Sequence, residues 1–291
     1  MFETVGDGPE AGRLRDMEKQ YEFQDVQGLM DTHAHLTMLK KRGIDVEAYL
    51  TRLFAAGFGG IIDVGVDPGD LPARIDALRS FAGKNIRFSA GLWPSAGAVA
   101  GRGKLVAGLE RAIRAAPPGL VGALGECGID RYRNKIGTAD CAGERELLEM
   151  QLDAARRLAL PVIIHSREAF AETLAALRRY PDVRGVIHCF SYGPAEARAF
   201  LDAGYYLSFA GNLTYKSAGS LRDALLGTPL DRMLFETDSP YLAPLPFRGA
   251  PARPDMVAET YRLAGELLGL TPEVLRKQAA RNCFQWLTSP P

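Results

Sequence analysis

The sequence predicts a (β/α)8 TIM barrel, and three observations carry that prediction. Short apolar, β-branched runs recur with little polar alternation, as in parallel strands buried on both faces. Segments of helical spacing separate them. Eight such repeats over roughly 260 residues match this barrel in count and length. A doubly wound open sheet is the competing α/β arrangement, but no Gly-x-Gly-x-x-Gly follows an early strand, which weakens a dinucleotide-binding version of it.

The expected strands are 26–30, 60–66, 86–92, 120–124, 161–164, 185–187, 205–210 and 233–235, each built on Val, Ile, Leu, Phe, Tyr or Met. Expected helices occupy 46–56, 71–82, 104–115, 144–158, 167–179, 194–203 and 217–226, with 254–268 and 272–287 after the last strand. Pro194 and Pro272 suit the first helical turn, and Thr271 suits an N-cap. Gly57, Gly204 and Gly269 fall where helices stop. Residues 1–25 are polar and glycine-interrupted, with room for a short helix at 14–21, and read as an extension. Residues 26–291 read as one domain.

Composition narrows the function classes. The chain carries 35 basic and 35 acidic side chains, so any binding of nucleic acid must rest on a local group of cations. Cys127, Cys141, Cys189 and Cys283 form no Cys-x-x-Cys pair and suit a reduced, cytoplasmic protein. No basic start leads into an apolar run, and no stretch approaches about 18 uninterrupted apolar residues. No membrane association is expected.

The chemistry concentrates at strand ends. The four histidines, His33, His35, His165 and His188, each close an expected strand. The two-residue spacing in Asp31-Thr-His-Ala-His35 turns both imidazoles to one side. Glu126 and Asp238 end the fourth and eighth strands. In a barrel these positions converge on the C-terminal rim. Six such groups exceed the needs of one catalytic ion and suit two divalent ions about 3.5–4 Å apart, with Glu126 able to offer one oxygen to each. Arg167 suits contact with an anionic group. Asp31 and Glu236 share faces with His33 and Asp238 and suit support of those ligands or, equally, hydrogen bonding in the barrel core. Cys127 and Cys189 suit packing, and Lys40-Lys41-Arg42 a solvated loop.

With these residues in place, the chain resembles the TatD-like metal-dependent DNase family of amidohydrolase-like barrels. The matching motifs are Asp31-Thr-His-Ala-His-Leu36, Gly125-Glu-Cys-Gly-Ile-Asp130, Leu160-Pro-Val-Ile-Ile-His-Ser-Arg167, Ile187-His-Cys-Phe190 and Phe235-Glu-Thr-Asp-Ser-Pro-Tyr-Leu242. The resemblance implies a two-metal deoxyribonuclease or phosphodiesterase acting through an activated water. It implies His33, His35, Glu126, His165, His188 and Asp238 as metal ligands, with Asp238 also the base. Two departures stand near the substrate side. Gly91-Leu-Trp-Pro-Ser95 replaces Gly-x-His-Pro-His, putting Trp93 and Ser95 in place of two histidines, and Ala252-Arg-Pro254 replaces Arg-Asn-Glu-Pro. Arg167, Trp93 and Tyr241 are the expected substrate contacts, Trp93 as a stacking surface or as a lid on the pocket.

DNA or another phosphodiester is the expected partner. The same centre would also serve amide, ester or lactone hydrolysis of a small molecule, because fold and ligands do not fix the substrate. A purely structural metal site is disfavoured by Asp238, since such a site needs no base. Four imidazoles favour zinc or manganese, whereas the resemblance implies magnesium, which prefers oxygen ligands.

Overall fold

The computed structural model describes residues 23–67, 69–137 and 139–288; the helix expected at 14–21 lies outside them. Eight parallel strands follow one another in spatial order: β1 (Met30–Ala34), β2 (Gly60–Asp63), β3 (Ile86–Ala90), β4 (Val121–Asp130), β5 (Val162–Arg167), β6 (Gly185–Ile187), β7 (Tyr206–Phe209) and β8 (Met233–Phe235). Sequential order with every pair parallel excludes the doubly wound sheet, whose strand order must reverse. The last strand returns to the first, where Ala34 bridges Ser239 in parallel. The fold is a (β/α)8 barrel.

Among the described residues the α-helices are α1 (Leu36–Lys40), α2 (Val46–Ala55), α3 (Leu71–Ala77), α4 (Ala96–Ala100), α5 (Arg102–Ala115), α6 (Cys141–Leu158), α7 (Phe170–Leu177), α8 (Pro194–Asp202), α9 (Gly219–Gly227), α10 (Val257–Leu268) and α11 (Pro272–Thr288). Their ends follow local chemistry. The Asp45 and Asp140 carboxylates accept from Ala48 N and Gly143 N at the starts of α2 and α6, meeting backbone donors that have no partner within the helix. Gly269 closes α10 in the left-handed region, with φ +64°.

Two apolar layers result. Between strands and helices lies the larger one, with Leu53, Phe88, Leu124, Leu148, Phe200 and Phe235 fully buried. Inside the barrel, Ile62, Ala123, Ile163, Val186, Tyr206 and Leu234 pack on Trp286 and Cys283 of α11, which plugs the N-terminal end. Burying each such aliphatic side chain contributes roughly 1.5–3 kcal/mol. The plug leaves only the opposite end open to chemistry.

Strands β6 and β8 run as expected; β2 and β3 end at Asp63 and Ala90, short of 66 and 92, β7 loses one residue at each end, and three others are displaced or longer. The first was expected at 26–30 from its apolar residues but runs over Met30–Ala34, a largely polar segment. Its buried Asp31 and Thr32 side chains find partners across the seam, in β8 and just past it. Asp31 accepts from Thr237 N at 3.0 Å and Thr237 Oγ1 at 2.6 Å, and Thr32 Oγ1 donates to Phe235 O at 3.0 Å. Burial pushes the Asp31 carboxyl up to about 8, even though the Thr237 and His33 hydrogen bonds act against it. The fourth strand continues six residues past Leu124 through Gly125-Glu-Cys-Gly-Ile-Asp. The fifth reaches Arg167, which is therefore a strand residue and not the first of a helix. The short helices α1 and α4 fall where no helix was expected. Lys40 ends α1, while Lys41 and Arg42 are exposed beyond it.

Candidate metal centre

Six side chains meet at the C-terminal end of the barrel. His33 projects from β1, and His35 follows it at the start of α1. Glu126 and His165 lie within β4 and β5. His188 follows β6 directly, and Asp238 stands three residues after β8. Asp238 adopts the left-handed backbone region at φ +57°, uncommon for a residue with a side chain. Asp238 N donates to His33 O at 2.9 Å and its carbonyl accepts from Tyr241 N at 2.8 Å, which hold the turn.

Glu126 is central. Its Oε2 lies 3.4 Å from His33 Nε2 and 3.7 Å from His35 Nε2. Its Oε1 lies 2.9 Å from His165 Nδ1 and 3.1 Å from His188 Nε2. Asp238 Oδ1 faces the first pair only, 3.6 Å from His33 and 3.5 Å from His35. Two groups of compact donor atoms result, His33–Glu126–His188 and His33–His35–Asp238, sharing His33.

The hydrogen bonds around the imidazoles determine which nitrogen faces inward. A carbonyl only accepts, so His35 Nδ1, 2.9 Å from Val64 O, carries hydrogen and leaves Nε2 bare. His188 Nδ1 lies 3.3 Å from Glu236 Oε1, which likewise leaves Nε2 for the cluster. His33 is fully buried and neither ring nitrogen has a hydrogen-bond partner among the described residues. An orphaned buried donor–acceptor pair costs about 1–3 kcal/mol, and a cation beside Nε2 removes that cost. The donor set therefore fits divalent metal.

The charges respond to one another. Burial and the neighbouring His188 hold His33 below the usual histidine value. Burial alone would raise Glu126, but His188 opposite it, with hydrogen bonds from His165 and His188, holds its carboxyl well below the usual range. Burial opposes charge on His188 too, yet Glu126 and Glu236 raise it well above the ordinary value.

The expected substrate contacts separate. Trp93 stands edge-on to His165, centroids 6.1 Å apart, and Tyr241 edge-on to His35 at 6.1 Å. Each ring thus borders a different imidazole of the cluster. Arg167 is exposed and stacks on Tyr132 at 3.9 Å, outside the imidazole group. Ser95 does not enter the pocket as a histidine would; its hydroxyl accepts from Ala98 N and caps α4. Glu236 touches His188 and not Asp238, and Asp31 holds the β1–β8 seam through Thr237 N, Thr237 Oγ1 and His33 N and not through the His33 ring. Asp130, 3.0 Å from His165 Nε2, had no expected role. Strand alternation from Glu126 would have placed it on the same side had β4 been expected to run that far.

Residues 30–288 match the family described as TatD related DNase. The chain belongs to the TatD family. It is 36% identical over 260 residues to the "uncharacterized metal-dependent hydrolase YcfH" of Escherichia coli, covering 87% of this chain and 93% of that protein. It is 34% identical over 251 residues to a TatD hydrolase of Mycobacterium tuberculosis, covering 84% and 92%. The crystal structure of YjjV, a TatD homologue from E. coli, superposes with a TM-score of 0.79 at 30% identity, covering 91% of this chain and all of that one. As a TatD-family protein with this donor cluster, the chain is a metal-dependent hydrolase.

Proposed function

We propose that the chain is a phosphodiesterase of the deoxyribonuclease type with a binuclear metal centre. One observation carries the reading: each oxygen of Glu126 faces a different pair of imidazoles, Oε2 toward His33 and His35 and Oε1 toward His165 and His188. A carboxylate disposed this way suits a bridge between two ions. His33, His35 and Asp238 would hold one, and His165 and His188 the other. Two divalent ions, zinc, manganese or magnesium, supply Lewis acidity that lowers the pKa of water and polarises a phosphoryl oxygen.

Asp238, on one side of the cluster only, would orient the attacking water and take its proton. Trp93 and Tyr241 would confine the substrate between them. The rim supports an anionic substrate. Arg133, Arg167 and Arg248 lie on Trp93, Tyr132 and Tyr215 at 5.7, 3.9 and 4.5 Å, and no carboxylate pairs with any of them among the described residues. By contrast, Arg79, Arg102, Arg156, Arg179 and Arg262 are paired with carboxylates. Arg133 thus lies on the Trp93 ring that borders His165 without a carboxylate partner among the described residues.

The test uses purified, metal-loaded protein on single-stranded DNA and on a panel of lactones and esters. DNA cleavage is expected, with Asp238→Asn lowering kcat about 10²–10⁴-fold while metal stays bound. Cleavage confined to the lactone and ester panel refutes the nuclease reading. Unchanged turnover in Asp238→Asn refutes its role as base.

A further inference from the structure

Asp130 ends β4 with 1% of its surface exposed. Its two carboxylate oxygens have different partners. Oδ2 lies 3.0 Å from His165 Nε2, and Oδ1 accepts from Arg133 N at 2.8 Å. An ionised carboxylate only accepts, so His165 Nε2 carries the hydrogen of the first contact. That leaves Nδ1, 2.9 Å from Glu126 Oε1 and 3.2 Å from His188 Nε2, as the nitrogen able to offer a lone pair to the cluster.

Asp130 is itself held from three directions. Its backbone N donates to Glu144 Oε1 at 2.7 Å, from a buried carboxylate in the first turn of α6. Its carbonyl accepts from Asn134 N at 2.9 Å. Arg131 N donates to Arg167 O at 2.8 Å, continuing the β4–β5 pairing. Asn134 Nδ2 then donates to Glu144 Oε1 at 3.2 Å and to Pro94 O at 2.7 Å, fixing the segment beside Trp93. One frame therefore connects the His165 ring, the Asp130 carboxylate and the Trp93 wall.

We propose that Asp130 is a positioning residue of the metal centre, holding His165 as the Nε2–H tautomer with Nδ1 presented to an ion beside Glu126 Oε1. The proposal rests on the reading of His165 as a ligand and adds what selects its coordinating nitrogen. The other outer contacts are simpler: His35 leans on a backbone carbonyl and His188 on Glu236 at a longer 3.3 Å. Through Glu144 and Asn134, Asp130 also ties a ligand-bearing strand to the segment beside Trp93.

Asparagine at this position offers one acceptor oxygen to two donors, so either Arg133 N or His165 Nε2–H loses its partner. The experiment measures Zn²⁺ and Mn²⁺ affinity of the full-length, metal-stripped protein by calorimetry for wild type, Asp130→Asn and His165→Ala. Asp130→Asn is expected to bind one of the two ions about 10–100-fold more weakly, with His165→Ala at least as weak. Wild-type affinity in Asp130→Asn together with weakened binding in His165→Ala overturns the positioning role and leaves the ligand reading intact. Unchanged affinity in His165→Ala overturns the ligand reading, and the proposal with it. Histidine ¹⁵N spectra of the zinc-loaded wild type give a second reading that no folding defect can blur. Hydrogen on Nε2 of His165 is expected, and hydrogen on Nδ1 overturns the proposal.

Discussion

At the scale of single residues, the centre depends on how one carboxylate divides its oxygens. Glu126→Gln keeps the length and shape of the side chain but replaces one oxygen with an amide nitrogen that cannot ligate. The amide has one acceptor for two imidazole pairs, so, on the binuclear proposal, the variant is expected to bind one divalent ion fewer than the parent. Elemental analysis after equilibrium dialysis counts them; two ions held at parental affinity would show that Glu126 is no bridge. The imidazoles were easy to find in the sequence, because the chain has four and each lies next to an apolar run. Asp130 and the orientation of Glu236 were not. Their roles depend on which ring nitrogen lies nearest, a matter of ångströms that a spacing pattern does not contain.

At the scale of elements, β4 and β5 carry the densest constraint. A Cβ added at Gly128 would stand 1.8 Å from the His165 carbonyl oxygen, so only glycine lets the strands approach where both hold site residues. Gly128→Ala must push β5 outward and is expected to cost about 3 kcal/mol. In a domain of this size that corresponds to roughly 6–12 °C in Tm, and metal affinity should fall with it. A melting temperature within about 2 °C of the parent by calorimetry would refute this account. The same strands explain why the sequence predicted the barrel yet misplaced its working parts. Strands made wholly of apolar residues, such as Met233–Phe235, declare themselves by hydrophobicity. Segments such as Asp31-Thr-His and Gly125-Glu-Cys-Gly-Ile-Asp are strands because tertiary hydrogen bonds satisfy their polar groups, so an apolar-run criterion ends each of them early.

At the scale of the whole molecule, the centre gathers four imidazoles and the Glu126 and Asp238 carboxylates at the mouth of a barrel whose other end is sealed by Trp286. No helix among the described residues is long and apolar enough to cross a membrane. Metal binds the folded cluster and not the open chain. At a free ion concentration about 100 times Kd, linkage adds about 2.7 kcal/mol per ion, or roughly 5–11 °C in Tm. Chelator-treated protein is therefore expected to melt lower and to recover on addition of zinc or manganese. Scanning calorimetry across a metal titration checks this, and a flat response would mean the cluster does not bind metal in the native state.

The seam between β1 and β8 has a consequence for biosynthesis. His33 and His35 leave the ribosome early, whereas Asp238, whose backbone N bonds His33 O, emerges about 200 residues later. At the slower end of translation, about 5 residues per second, that gap lasts roughly 40 s. Throughout it the first two imidazoles have neither their carboxylate nor the strand that buries them. The chain can assemble the full complement of donors only after its eighth strand has docked, so metal capture would report the arrival of a finished barrel.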